Sequence, residues 1–543
     1  MNMEERYIAS VDLGTSKLAV CVARVQDQNV EVIYYKESPS VGIRYSYVLI
    51  PGKVKEELRL AISEAQQALR IKIQQVIVGL PRWYVRQETA SASTTRENPD
   101  DLIQESEVRD LKSRALDSYP LEDPAKEVIY GAVAQSFSTE DSINEPENDI
   151  VGMASEKLEG NFKVFIGNRR YSSNIDSVFN DLGIAIAKKY FTPGITARAV
   201  LKSEQMENGV ALIDLGAGVS SVTIFKDKIM RFYSAIPFGG NSVTNDIKSE
   251  CNFSFDLAEN IKKAYGACMP NKLSSLGEKT LQIVDEDGNA TAQVPVKYIS
   301  EIITARMKEI IEALLFRIQE SGYASESDLR AGVVVTGGGA ELVNCANYIK
   351  ELSGYSVKVG RPRRVFSCEG CEEASETSAA TSMGMILSAK NDRFLNCVND
   401  ATLGIIKPSA AVQAAQEVIE EQPVSETVEM PASEPAEEVR PEPEATPEPP
   451  KEEEIKYDPY SQAVEHPAIE DTVADGQEDD ETIGSNVFSA PTREEVKEYE
   501  KKKRDRKKEK KSHGGLFVWT RHVLGKVTEK VGTLYDDMNN EEV

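Results

Sequence analysis

The chain has 543 residues, 40% of them hydrophobic and 28% charged, with a formal net charge of −26. That length exceeds one compact core and suggests about two to four domains. The negative balance argues against a nucleic-acid backbone as a partner over the whole surface, because its phosphates would be repelled.

In chain order, strand patterns come first, at Tyr7–Asp12 and Lys17–Arg24, either side of a short polar turn. Apolar residues at helical spacing predict a helix over Val54–Ala68, and the strand "QQVIVGL" follows. From Arg86 to Phe165 the chain is polar and reads as less regular, with one helix at Glu105–Leu116. An apolar strand at Gly209–Asp214 precedes a hairpin pattern, "VTIFKDKIMRFYSAIPF". Helices are predicted at Asp256–Ala264 and Tyr298–Gln319, then the strand "GVVVT", the turn "GGG" and a helix over Ala340–Leu352. Strands mixed with helices in this way indicate an α/β fold.

Beyond about Ala410 the texture changes. "EMPASEPAEEVRPEPEATPEPPKEEE" has almost nothing to bury and is expected to be disordered. The charge then flips to "KKKRDRKKEKK", Lys501–Lys511, ahead of a last apolar-rich stretch. On a helical wheel, Leu516, Trp519, Val523, Leu524, Val527, Val531, Leu534 and Tyr535 share one face, flanked by Arg521, Lys526 and Lys530. No apolar run reaches the length of about 18 residues that a membrane-spanning helix needs. The start, "MNMEERYIAS", is acidic and carries no signal-peptide pattern.

The three histidines, His466, His513 and His522, all lie late in the chain. Chemistry in the earlier part therefore proceeds without histidine, which removes histidine triads and most zinc hydrolases. Among seven cysteines only Cys368 and Cys371, in "CEGC", have a paired spacing. With no second pair and no neighbouring histidine they read as two free thiols in a reducing compartment, the alternatives being a redox pair or half a zinc site.

One phrase occurs twice: "IASVDLGTSK" and "ALIDLGAGVS" each join an apolar strand to Asp, Leu, Gly and a small residue. The repeat suggests two similar halves, each presenting a strand-end aspartate, Asp12 or Asp214, and a tight turn. Gly14 and Gly216 permit close backbone approach. Successive N–H groups in such a turn, through Ala217 and Gly218 in the second copy, form an anion nest. Thr15, Ser16 and Ser220 can add hydroxyls, and Lys17 can neutralise phosphate. The two aspartates would repel phosphate directly, so the pattern calls for Mg²⁺ between them, held through water because magnesium dehydrates reluctantly. A single such phrase is an ordinary β-turn; two in equivalent context favour phosphate binding. "GVVVTGGGAEL" supplies a third element, in which Gly337, Gly338 and Gly339 let a flat ring or ribose approach bare backbone ahead of a helix.

In this order the three elements resemble the phosphate-1, phosphate-2 and adenosine motifs of the actin-like ATPase superfamily. "ITARAVLKSE" and "SAATSMGMIL" resemble its two connecting helices. Over roughly residues 5–395, and in the terminal helix, the chain resembles the bacterial FtsA family of cell-division proteins. "AENIKKAYG" resembles that family's first helix of the upper subdomain, which implies Glu259 and Lys262 facing the adenosine, and "IITARMKEI" resembles a later helix. The resemblance implies two similar lobes around a nucleotide cleft: subdomain 1A in residues 1–85 and 166–204, 1C in 86–165, 2A in 205–244 and 326–400, and 2B in 245–325. A disordered acidic linker ending in the basic run, 401–512, and an amphipathic helix, 513–538, would follow; the linker is longer than the family leads one to expect.

The resemblance also implies ATP and Mg²⁺ as cofactors and a polymerising adaptor rather than an enzyme, with slow turnover at most and no catalytic base evident. It implies attachment of FtsZ filaments to the cytoplasmic face of the cell membrane at the division site, and recruitment of later division proteins. The C-terminal peptide of FtsZ would meet 2B, where Arg306 is either its contact or a solvated helix charge. Leu516, Phe517, Trp519, Val523, Leu524, Val527, Val531 and Leu534 would lie among lipid headgroups, helped by the basic run; docking on a protein surface is the alternative. Two other readings stay open, a small-molecule kinase of the same superfold and an actin-like protein of pilus assembly.

Overall fold

The computed structural model describes residues 5–274, 276–284 and 290–398. The segments expected to form the acidic linker, the basic run and the lipid-contacting amphipathic helix, 401–538, lie outside the described residues. The described residues fall within one compact unit, 1–418. None of their helices is long and apolar enough to cross a membrane.

The first lobe opens with three strands joined by tight turns, β1 (Arg6–Leu13), β2 (Lys17–Gln26) and β3 (Asn29–Pro39). A small hairpin of β4 (Ile43–Arg44) and β5 (Tyr47–Val48) follows. Helix α1 (Pro51–Leu69) begins with proline in its first turn, where a missing N–H costs nothing, and ends at Arg70 in the left-handed region, φ 53°. It buries Val54, Leu58, Ala61, Ile62 and Ala65, one helical face, against the sheet. β6 (Gln75–Leu80) then joins β1 in parallel, and β10 (Ala185–Phe191) joins β6 in parallel, giving the order β10-β6-β1-β2-β3. The central strands are apolar on both faces because both are covered, so they read as unbroken runs rather than alternating ones.

Between β6 and β10 sits an insertion that differs from its sequence-based expectation. Residues 86–165 do not form an irregular stretch. They form long antiparallel strands, β7 (Arg86–Thr95), β8 (Glu127–Ser138) and β9 (Lys157–Asn168), in the order β7-β9-β8. α2 (Glu105–Asp117) covers this sheet and the short α3 (Glu147–Ile150) flanks it. A separate core of Ile103, Val108, Leu111, Phe137, Leu158 and Phe162 holds it together. β9 also runs past the expected boundary at 165. Asn168 accepts from Arg170 N and starts α4 (Arg169–Leu182), which Gly183 ends at φ 68°.

α5 (Thr192–Val200) and α6 (Ser203–Asn208) lead to the second lobe, so the first connecting helix is broken in two where one was expected. The second lobe repeats the first: β11 (Val210–Leu215), β12 (Ser220–Lys226) and β13 (Ile229–Ile236) form an antiparallel meander. α7 (Gly240–Cys251), α8 (Phe255–Tyr265), the hairpin β14 (Thr280–Val284) with β15 (Ala290–Pro295), and α9 (Val296–Glu320) intervene. β16 (Val333–Thr336) then joins β11 in parallel, α10 (Cys345–Ser353) crosses, and β17 (Val357–Val359) joins β16. The order β17-β16-β11-β12-β13 reproduces β10-β6-β1-β2-β3 strand for strand. α10 starts later than the expected Ala340, because a 3₁₀ turn at Gly338–Glu341 is followed by Asn344 at φ 62°, a left-handed residue that helix cannot include.

α11 (Ala380–Ala389) returns between the lobes and packs against α5. The two helices touch through backbone: a Cβ on Gly384 would stand 2.6 Å from the Ile195 carbonyl oxygen. Thr196 and Thr381 share a buried hydroxyl–hydroxyl bond of 3.1 Å at the same crossing.

Candidate cleft between two glycine turns

The repeated phrases close equivalent hairpins. Leu13 pairs with Leu18 and Leu215 with Ser220, leaving Gly14–Lys17 and Gly216–Val219 as the turns. Their geometry matches: a Cβ on Gly14 would lie 2.6 Å from the Lys17 carbonyl oxygen, and one on Gly216 would lie 2.6 Å from the Val219 carbonyl oxygen. No larger residue fits either position without moving the turn. The turns also face each other across the lobes, since a Cβ on Gly218 would stand 2.7 Å from Thr15 Oγ1.

The triple glycine arrives at the same place. β16 is in register with β11, Thr336 beside Asp214, so the chain leaves β16 directly over the second aspartate. Gly337 has φ 83°, and a Cβ there would fall 2.5 Å from Asp214 Oδ1; one on Gly339 would fall 2.8 Å from Leu215 Cβ. Gly338 between them is exposed, with nothing near where a side chain would begin. Thr377, just before α11, donates to Gly337 O at 3.0 Å and to Glu341 Oε1 at 2.9 Å, tying this turn to the connecting helix.

The N-terminus of α7 underlies the second turn, with Gly240 N donating to Gly216 O at 2.9 Å and Asn241 N to Ala217 O at 2.8 Å. Glu259 and Lys262 of α8 reach this corner. Lys262 Nζ donates to Glu259 Oε2 at 2.6 Å, Thr244 Oγ1 at 2.8 Å and Gly240 O at 3.1 Å. Burial pulls the Lys262 amine below its ordinary pKa, with Glu259 opposing. Burial works against the Glu259 carboxylate, yet Lys262 and Thr244 hold its pKa below the usual value.

The charges at the mouth are arranged less simply than the sequence suggests. Lys17 is paired with Glu37 of β3, whose carboxylate also accepts from Tyr35 at 2.7 Å and Ser378 at 3.3 Å. Asp214 is buried and paired with Arg82, from the loop after β6. Asp12 is half-buried, and burial raises its carboxyl pKa; Arg82 and Lys17 pull it back down, while Asp214 and Glu37 add to the rise. Arg82 was not singled out in the sequence. The signal was its position just past a parallel strand that neighbours β1, the end of the sheet where α/β folds place ligands.

Other expected residues fall elsewhere or are already engaged. Ser220 is fully buried with its hydroxyl unpartnered, so it does not line the mouth. Ser16 is exposed on the first turn. Arg306 makes a two-pronged contact with Asp246, at 2.6 and 2.9 Å, and a third with Glu309 at 2.6 Å, so an acidic peptide would have to displace a carboxylate to reach it. Cys368 and Cys371 are free thiols, the latter buried. Among the described residues no group of three or more His, Cys, Asp and Glu side chains could hold a metal by itself.

Comparison with known proteins agrees with this geometry. The family model described as "Cell division protein FtsA" matches residues 211–384, which include the second turn and the triple glycine. FtsA of Neisseria meningitidis is 26% identical over 370 residues, 67% of this chain and 86% of that protein. FtsA of Bacillus subtilis is 23% identical over 416 residues, 76% and 89% of the two chains. Among solved structures, a chain of the PilM–PilN type IV pilus biogenesis complex superposes with a TM-score of 0.50 at 13% identity, over 70% of this chain and 98% of that one, a likeness of fold alone. With its duplicated sheets, paired glycine turns and crossing helices, the chain has an actin-like fold and is similar in sequence to the FtsA cell-division proteins.

Proposed function

We propose that the cleft binds ATP, and that nucleotide holds the two lobes in a closed form that self-associates into filaments. The observation that carries this reading is the meeting of the two glycine turns at Thr15 and Gly218, with the triple glycine packed on Asp214 just before the second turn. Backbone N–H groups of Gly14–Lys17 and Ala217–Val219 would receive the phosphates from opposite lobes, while the Gly216 N–H closes its own turn on Val219 O. The ring and ribose would rest against exposed Gly338, near Glu259 and Lys262. The donor set suits Mg²⁺ held through water: the Asp214 carboxylate adds to the rise of the Asp12 pKa, and a cation, the Arg82 guanidinium, already lies against Asp214. Magnesium bound there would shield the phosphates from the two carboxylates. In this reading ATP acts as a clamp on the two lobes, with slow turnover at most.

The cellular role follows the relatives, which are named for cell division. We place the chain as an adaptor that ties FtsZ filaments to the cytoplasmic face of the cell membrane at the division site and recruits later division proteins. Residues 513–538 would be the lipid contact, and residues 245–325 would face the FtsZ peptide. Many weak terminal helices joined in one filament would bind membrane far better than one. Co-pelleting with anionic liposomes, with and without ATP and purified FtsZ, tests this. FtsZ should pellet only when the full chain is present, and deleting Leu516–Met538 should abolish pelleting while ATP affinity stays unchanged. A truncated chain that still pellets, or FtsZ that never follows it, would overturn the role.

A further inference from the structure

Arg82 is unusual among the charges of the cleft because it belongs to one lobe and is held twice by the other. Its guanidinium pairs with Asp214 at the end of β11, and its backbone carbonyl accepts a hydrogen bond from the Tyr233 hydroxyl of β13. Its own lobe fixes the backbone. Arg82 N donates to Ser46 Oγ at 3.4 Å, Ser46 N donates to Thr15 Oγ1 at 3.1 Å, and Tyr47 Oη donates to the neighbouring Trp83 O at 2.8 Å. The main chain at position 82 is therefore anchored on both sides, and the side chain is the part free to change partner. That side chain is largely buried, with 15% of its surface exposed against 11% for Asp214. Asp12 is the second carboxylate in its field.

We infer that Arg82 is a built-in counter-ion that competes with Mg²⁺ for the paired aspartates and makes release of an inter-lobe ion pair part of nucleotide binding. This rests on the cleft being the nucleotide site. A divalent cation ordered by Asp12 and Asp214 and a guanidinium seated on Asp214 draw on the same negative charge, and two cations cannot both be close to it without strong mutual repulsion. Metal–nucleotide must therefore displace Arg82, and the pair to Asp214 sets how much magnesium that takes. Because the same pair joins the lobes, displacing it also frees the cleft to adjust around its ligand.

The experiment uses the full chain, a fluorescent ATP analogue and a magnesium titration read by anisotropy. In Arg82→Gln the magnesium concentration giving half-maximal binding should fall about tenfold below wild type. In Arg82→Lys, which keeps a cation at the position, it should stay within about twofold. An unchanged midpoint in Arg82→Gln overturns the inference, and so does loss of affinity at every magnesium concentration, since Arg82 would then be a phosphate ligand. Should Arg82→Gln fail to fold, Arg82→Lys decides: its guanidinium fork is lost but its charge is not, and a midpoint that rises or falls tenfold would sink charge competition. A wild-type chain that binds no analogue at any magnesium concentration refutes the nucleotide reading itself, a distinguishable result.

Discussion

The two glycine turns share a backbone and differ in chemistry. In each, the first glycine lies 2.6 Å, at its would-be Cβ, from the carbonyl that closes the turn. The first turn then carries Thr15, Ser16 and Lys17, whereas the second carries Ala217, Gly218 and Val219. The aspartates before them differ as well: Asp12 is half-buried with a raised pKa, while Asp214 is buried and paired with Arg82. The repeat keeps the same close-packed turn in both lobes. The charged and hydroxyl-bearing side chains lie in one turn and bare backbone in the other, so the lobes are alike as scaffolds and different in the chemistry their turns present.

The largest expected effect separates the aspartates. Asp214→Ala leaves the Arg82 guanidinium buried without its partner and should cost about 3–5 kcal/mol, read as a lowered denaturation midpoint. Adding Arg82→Met in the same chain should recover much of that loss. Recovery of nothing would mean that the pair does not carry the stability. Next comes a test of the likeness. Gly14→Ala and Gly216→Ala each push a methyl onto a backbone carbonyl and should each destabilise by about 1–3 kcal/mol. Losses that differ several-fold would show that the two turns are not equivalent.

Smaller still is the contact between the turns. Gly218→Ala places a methyl against Thr15 and should weaken ATP-analogue binding about tenfold with little change in melting temperature, an effect that a second substitution, Thr15→Ala, relieves. The smallest effect has the opposite sign. A raised pKa means that Asp12 favours folding below the unfolded carboxylate range and loses that contribution as pH rises through its folded value. Asp12→Asn should therefore melt slightly higher than wild type near neutral pH, with the gap closing as pH falls toward about 4. A variant that melts lower near neutrality would show that Asp12 is stabilised by its cations rather than strained by burial.

Much of this was readable because the informative signals are local and duplicated. Two copies of Asp-Leu-Gly after apolar strands pointed to matching hairpins, and the matching strand orders extend that likeness to whole sheets. The insertion was missed for a physical reason. β7, "RQETASASTT", buries only Ala90 fully, so small and polar residues at period two never build an apolar face that a reader would notice. β3 is half exposed and carries no motif. Arg82 matters only because β6 lies parallel to β1 and because the second lobe reaches over it, facts that no single stretch of chain contains. The late start of α10 turned on one backbone angle at Asn344.

The crossing of α5 and α11 limits how the cleft can widen. With Gly384 seated against the Ile195 carbonyl, and the Thr196–Thr381 bond beside it, sliding one helix along the other would drive side chains into main chain. Any opening of the cleft would therefore have to turn about this crossing rather than slide along it, and the Arg82–Asp214 pair and the Tyr233–Arg82 hydrogen bond are the contacts that would have to part.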